Sequence, residues 1–185
     1  MGGFTRLRSR LNGEGIVNTS VFEGQQVIVT EKMDGENTSL YCDHIHARSL
    51  DSRHHPSRDW IKQWHGTMAY TIPQDWRICG ENLYAKHSVA YEQLASYFYG
   101  FSIWNQDNVC LSWPETEEWF ELLGIHPVPV LYQGCWDESA IRALSVETHT
   151  MEGYVVRLAD AFTYQDFTRS VAKWVRPHHV QTDQH

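Results

Sequence analysis

Glu31-Lys32-Met33-Asp34-Gly35-Glu36-Asn37 sets an amine where it could act on another molecule. It follows Gln26-Val27-Ile28-Val29-Thr30, a β-branched run that predicts a buried strand. Asp34-Gly35 then marks a turn, since glycine tolerates positive φ. Lys32 thus stands where a strand ends, and a lysine held there can be aimed at one point. Desolvated and near other cations, such an amine loses its proton and becomes a nucleophile. Taken alone, Lys-x-Asp-Gly also describes an exposed lysine beside a hairpin turn. His44 and His46 would share one face of a short strand, as a pair of metal ligands does, but no third ligand is spaced to join them.

These side chains need a frame, and the rest of the chain predicts one. Asn37 to Tyr41 resumes an extended pattern, and His44 to Ser49 is a second short strand. Ser57 can cap a helix over Arg58 to His65, with Trp60, Ile61 and Trp64 as its apolar stripe and Gly66 at its end. Trp76 to Glu81 reads as a strand running into Gly80-Glu81, and Tyr97 to Trp104 as a strongly aromatic strand. Trp113-Pro114-Glu115 opens a helix whose buried side is Trp119, Phe120, Leu122 and Leu123, stopped by Gly124. His126 to Tyr132 is extended, and its prolines suggest a sheet edge. Asp137 can cap a short helix through Ala143. Met151 to Leu158 and Ser170 to Arg176 complete the strands. At the start, Phe4 to Arg10 alternates apolar and basic residues, as an edge strand or a solvated arm would. Short strands mixed with a few helices agree with an α+β fold.

The 185 residues suit one domain, and 42% hydrophobic with 21% charged residues is ordinary for a globular chain. No run approaches a membrane span, and the polar, Arg-bearing start lacks the apolar core of a signal peptide. Cys42, Cys79, Cys110 and Cys135 form no Cys-x-x-Cys pair, which argues against a zinc ribbon and for reduced thiols; the expected location is cytoplasmic. A net charge of -8 is awkward for a nucleic-acid binder. The basic residues, however, crowd the first third, including Arg6, Arg8, Arg10, Arg53, Arg58 and Lys62. Glu115, Glu117, Glu118 and Glu121 lie together later, as a solvated helix face would.

The string Glu31-Lys32-x-Asp34-Gly35-x-Asn37 resembles motif I of the covalent nucleotidyltransferases: ATP-dependent DNA ligases, RNA ligases and mRNA capping enzymes. Glu31 and Asn37 make it most similar to the RNA ligase branch, the RNA-ligase-2-like group. Five further stretches resemble the motifs of this family in the family's own order. Ala47-Arg48-Ser49 is similar to motif Ia, and Gly80-Glu81-Asn82-Leu83-Tyr84 to motif III. The aromatic strand around Phe101 resembles motif IIIa, with Ser102 in place of the usual aspartate. Glu152-Gly153-Tyr154-Val155-Val156-Arg157 resembles motif IV. Val171-Ala172-Lys173-Trp174-Val175-Arg176 resembles motif V, with Lys173 alone of the usual two lysines.

The resemblance implies an adenylation domain of the DNA ligase and capping enzyme type, with two mainly antiparallel sheets flanking an ATP cleft. It implies Lys32 as the nucleophile that takes AMP from ATP as lysyl-AMP. It also implies nucleotide contacts by Glu31, Asn37 near the transferred phosphate, Arg48 at a phosphate, Glu81 at the ribose, and Phe101 stacked on the base. Glu152 would bind the ribose or a divalent metal through water, and Lys173 the α-phosphate. ATP and Mg²⁺ (or Mn²⁺) follow as cofactors. AMP would then pass to an RNA 5′-phosphate, and a 3′-hydroxyl would attack to seal the strand. The implied partner is RNA bearing those two ends, a nicked duplex included. Only a dozen residues follow Lys173, so one nucleotidyltransferase domain over 1–185 is expected, without an OB-fold or other C-terminal domain. The rival readings are a DNA ligase, a guanylyltransferase, and a non-catalytic nucleotide- or RNA-binding module. Ser102 and the single motif V lysine favour the module; the intact Lys32-Met33-Asp34-Gly35 opposes it.

Overall fold

Val27, Ile28 and Val29 are wholly buried and Thr30 nearly so, as a β-branched run covered on both faces should be. They form the centre of β2 (Gln26–Met33) in the computed structural model of the chain, which describes residues 4–6, 18–47, 56–84, 97–144 and 151–175. The chain divides into two compact units, and the boundary falls between Met33 and Asp34. The first unit takes Met1–Met33, Pro129–Ala159 and Gln165–His185; the second takes Asp34–Val128 and Asp160–Tyr164.

The first unit is built on a five-stranded sheet. Its strands are β1 (Phe4–Arg6), β2, β9 (Val130–Cys135), β10 (Met151–Leu158) and β12 (Val171–Val175). Their order is β1-β12-β10-β2-β9, and every neighbouring pair is antiparallel. On one face Val29, Val156 and Ala172 stand in register and pack with Phe22 and Ile141. Two capped turns deliver those last two. Asn18 accepts from the Ser20 amide at the start of Thr19–Phe22, and Asp137 from the Ala140 amide at the start of the helix Glu138–Arg142.

The second unit carries a seven-stranded sheet. It comprises β3 (Glu36–Leu40), β4 (Ile45–Ala47), β5 (Arg77–Asn82), β6 (Phe98–Trp104), β7 (Val109–Cys110), β8 (His126–Pro127) and β11 (Phe162–Thr163). The order is β11-β7-β6-β5-β3-β4, with β8 parallel to β6. Leu40, Ile78 and Ile103 line one face and are covered by Ile61 and Met68 of the helix Pro56–Met68 and by Phe120 of the helix Trp113–Leu123. Ser112 caps the second helix, Gly124 ends it in the left-handed conformation (φ 70), and its Glu115, Glu117, Glu118 and Glu121 are all solvated. Two mainly antiparallel sheets with helices outside the strands is the architecture expected.

Several local expectations are corrected. Asp34-Gly35 does not close a hairpin, because β2 and β3 belong to different sheets. Gly35 is not among the positive-φ glycines; it is needed for close approach, since a Cβ there would lie 2.7 Å from the Asn82 carbonyl oxygen. Leu122 is 75% exposed and so is no part of the buried side of its helix. The extended segment from His126 is two strands: β8 joins the second unit's sheet and β9 is an edge of the first's.

The first long helix begins at Pro56, where a missing amide costs nothing, and runs through Gly66 to Met68. Ser57 therefore lies inside it. A Cβ at Gly66 would meet nothing within 4 Å. Gly66→Ala is expected to stabilise the protein by about 0.5–1 kcal/mol, read as a higher urea midpoint with unchanged slope. Among the described residues no helix is long and apolar enough to cross a membrane. All four cysteines are free.

Candidate nucleotide-transfer site

β2, β10 and β12 align the charged residues of the first unit. Lys32 stands opposite Gly153, and Gly153 opposite Val175. One row along, Thr30 stands opposite Val155, and Val155 opposite Lys173. Alternation therefore gives Lys32 and Lys173 one face of the sheet, two strands and one row apart, which is about 12 Å between backbones and within the joint reach of two lysine side chains. Arg157 shares that face and is buried, its Nε donating to the Leu158 carbonyl at 2.8 Å.

Glu152 reaches Lys32 because β10 is bulged. Met151 and Gly153 oppose the consecutive residues Met33 and Lys32, so Glu152 is an extra residue, and bulges re-aim side chains. Its carboxylate accepts from the Lys32 ammonium across 120 residues of sequence, in an ion pair where the two side chains are 19% and 10% exposed. Gly153 makes the bulge feasible. A Cβ there would lie 1.9 Å from the Trp174 carbonyl oxygen.

Glu31 occupies the other face, in register with Tyr154 and Trp174, whose rings stack at 5.1 Å. Its amide donates to the Pro129 carbonyl. Burial holds the Glu31 carboxyl above the usual carboxylate range and pushes the Tyr154 phenol up to about 12. A raised carboxyl pKa means that the native state binds the proton more tightly than the unfolded chain. Stability is then lost as pH rises from the ordinary carboxylate range through the native value. Glu31→Gln should accordingly raise stability at pH 7, and the gain should vanish near pH ~4, where the unfolded carboxyl is also protonated. Urea unfolding at both pH values measures it.

The second unit aligns the other candidates. Asn37 opposes Glu81, and Glu81 opposes Tyr99, in one row across β3, β5 and β6. This is the face opposite Thr38, Gly80 and Phe98, which are buried. Phe101 is the extra residue of a second bulge, since Gly100 and Ser102 oppose the consecutive Gly80 and Cys79. It is half-buried. Arg48, like Arg8, Arg10 and Arg176, lies outside the described residues. His44 is turned to Asp43, 2.6 Å away, and stacks on Tyr41. Among the described residues no three His, Cys, Asp or Glu side chains gather to hold a metal. A single carboxylate such as Glu152 suits Mg²⁺ or Mn²⁺ that keeps most of its waters.

So the structure joins Lys32 with Glu152, sets Lys173 on their face, pairs Asn37 with Glu81, and places Glu31 away from Lys32. Sequence reasoning did not single out the two bulges or Gly153's contact with Trp174, because strand register is carried by no local pattern.

A sequence profile of the family described as RNA ligase matches residues 25–175. No curated protein matches. Solved structures of Naegleria gruberi RNA ligase do. A variant with ATP and Mn is 18% identical with a TM-score of 0.62, over 96% of this chain and 60% of that one. The complex with PPi is 20% identical with a TM-score of 0.59, over 84% of this chain and 51% of that one. The chain thus spans about half the length of the solved ligases it matches, and at these identities the likeness is one of fold.

Proposed function

The chain belongs to the RNA ligase family, and on that premise we propose that it is the lysine-adenylylating part of an ATP-dependent RNA ligase. The observation that carries this reading is the Lys32–Glu152 ion pair, which joins two motifs far apart in sequence on one sheet face also bearing Lys173. Lys32 Nζ, once deprotonated, attacks the α-phosphorus of ATP. The P–N bond forms as the bond to pyrophosphate breaks, and lysyl-AMP remains. Glu152 is the acceptor already in contact with the amine that must lose a proton. Lys173 offsets charge on the α-phosphate. Mg²⁺ or Mn²⁺, held by Glu152 through water, would neutralise charge on the phosphates when bound.

By the family resemblance Glu81 meets the ribose, Phe101 stacks against the base and Asn37 lies near the transferred phosphate. Glu31 acts from behind the strand that carries Lys32, and Arg48 meets a phosphate. AMP then passes from Lys32 to an RNA 5′-phosphate, and a 3′-hydroxyl displaces it to seal the strand. The Naegleria gruberi ligase, solved with ATP and Mn, supports this choice of nucleotide and metal.

Incubating the protein with α-labelled ATP and Mg²⁺ and then denaturing it tests the reading. Label should stay with the protein and be discharged by pyrophosphate; reversible binding alone would overturn it. Glu81→Ala should raise the ATP concentration for half-maximal labelling about tenfold, with a much smaller change at saturation. The initial labelling rate against ATP concentration measures this.

A further inference from the structure

β9 closes one side of the first unit's sheet. It pairs with β2, and no strand of the described residues bonds its other side. An edge strand turns the amides and carbonyls of every second residue outward, where another strand can bond them. Folds blunt such edges by shortness or by charge. β4 and β11 are three and two residues long, and β1 carries Arg6. β9 has neither protection. It runs six residues, and no Asp, Glu, Lys or Arg lies between Leu122 and Trp136. Register on β2 sets its faces. Tyr132 and Gly134 oppose Val29 and Val27 and take the core face, whereas Val130, Gln133 and Cys135 oppose Thr30, Ile28 and Gln26 and take the Lys32 face. Those three are the exposed residues of the strand, Val130 at 41%.

We propose that β9 is a dimerisation edge, pairing antiparallel with β9 of a second copy of this chain. Antiparallel self-pairing is a two-fold contact, in which residue i meets j and j meets i. It is disfavoured where like charges come to stand opposite each other, and β9 has no charge to repeat. Paired residues share a face, so the axis passes through a residue and not between two. Centred on Gln133, it sets each Tyr132 ring opposite the partner's Gly134, large against small. Gln133 meets its own copy, and an amide that both donates and accepts can bond that copy reciprocally. Both copies of Lys32 then open on the same side of one continuous sheet. One six-residue edge makes a small interface, below about 1,200 Å², so the dimer is weak.

Two measurements on the full chain test the assignment. The first is sedimentation between about 1 µM and 1 mM, over which monomer should pass to dimer. Gln133→Lys sets two ammonium groups face to face and should raise the midpoint concentration about tenfold or more. Its thermal midpoint shows that it is folded. The second is cross-linking under mild oxidation, in a Cys135→Ser background that removes the exposed native thiol of the strand. Gln133→Cys should give a disulfide-linked dimer, with peptide mass showing position 133 joined to its own copy, because residues opposed across a ladder lie about 4.5–5.5 Å apart at Cα. Glu117→Cys, on the solvated helix face of the other unit, should link about tenfold more slowly or less. A chain that stays monomeric throughout, a dimer indifferent to Gln133→Lys, or equal linking at the two positions would overturn the proposal. None of these readouts depends on nucleotide chemistry, so their failure leaves the proposed function standing.

Discussion

Lys32→Arg should leave the protein folded and lower nucleotide retained after denaturation by about 10³-fold or more. The side chain's two roles separate in this variant. Arginine keeps a positive charge beside Glu152, so the ion pair of the first unit survives in altered geometry. A guanidinium cannot be deprotonated in a protein, so no neutral nitrogen is available to attack phosphorus. Lys32→Ala should lose label to the same extent, but it also removes a cation from a carboxylate that is only 10% exposed. That should lower stability by about 1–3 kcal/mol. Labelling followed by a denaturing gel, with urea unfolding of both variants, checks the pair. A folded Lys32→Arg protein that still retains nucleotide would place the acceptor on another residue.

Gly153→Ala should be the most damaging of the small substitutions. The added Cβ would lie 1.9 Å from the Trp174 carbonyl oxygen, 2.9 Å from that carbonyl carbon and 3.0 Å from the Val175 Cα. All three are backbone atoms of β12, so no rotamer change relieves the contact, and β10 and β12 must move apart. The loss should be about 3 kcal/mol or more, at the upper end for inserting one carbon. Function should suffer too, because Gly153 faces Lys32 and neighbours Glu152 in the bulge. Urea unfolding and ATP labelling measure both, with labelling taken well below the variant's midpoint. Gly66→Ala is the natural control, since the same carbon there meets open space.

Much of this was legible in the chain before folding. The β-branched run before Lys32 announces a buried strand because every residue in it gains by leaving water. The helix Trp113–Leu123 is bracketed by an early proline and a terminal glycine, and those signals act within a few residues. The Pro56–Met68 helix was less legible at its ends. Packing of Ile61 and Met68 carries it past a serine and a glycine that local rules treat as boundaries. Leu122 misled for the converse reason: its hydrophobicity suits a core, but its angle around the helix turns it to water.

The candidate site divides in the same way. Residue types and their order along the chain determined the family and marked the candidate nucleophile and carboxylates, since phosphoryl chemistry needs an amine and charge-bearing groups whatever the fold. Only tertiary structure decided which of them meet. Glu152 reaches Lys32 through an extra residue in β10, and Glu31, adjacent to Lys32 in sequence, is turned to the opposite face by strand alternation. Asn37 and Glu81 become neighbours through antiparallel pairing of β3 with β5. Register of this kind is set by packing across strands that are far apart in sequence, and one residue of slip would reverse every face.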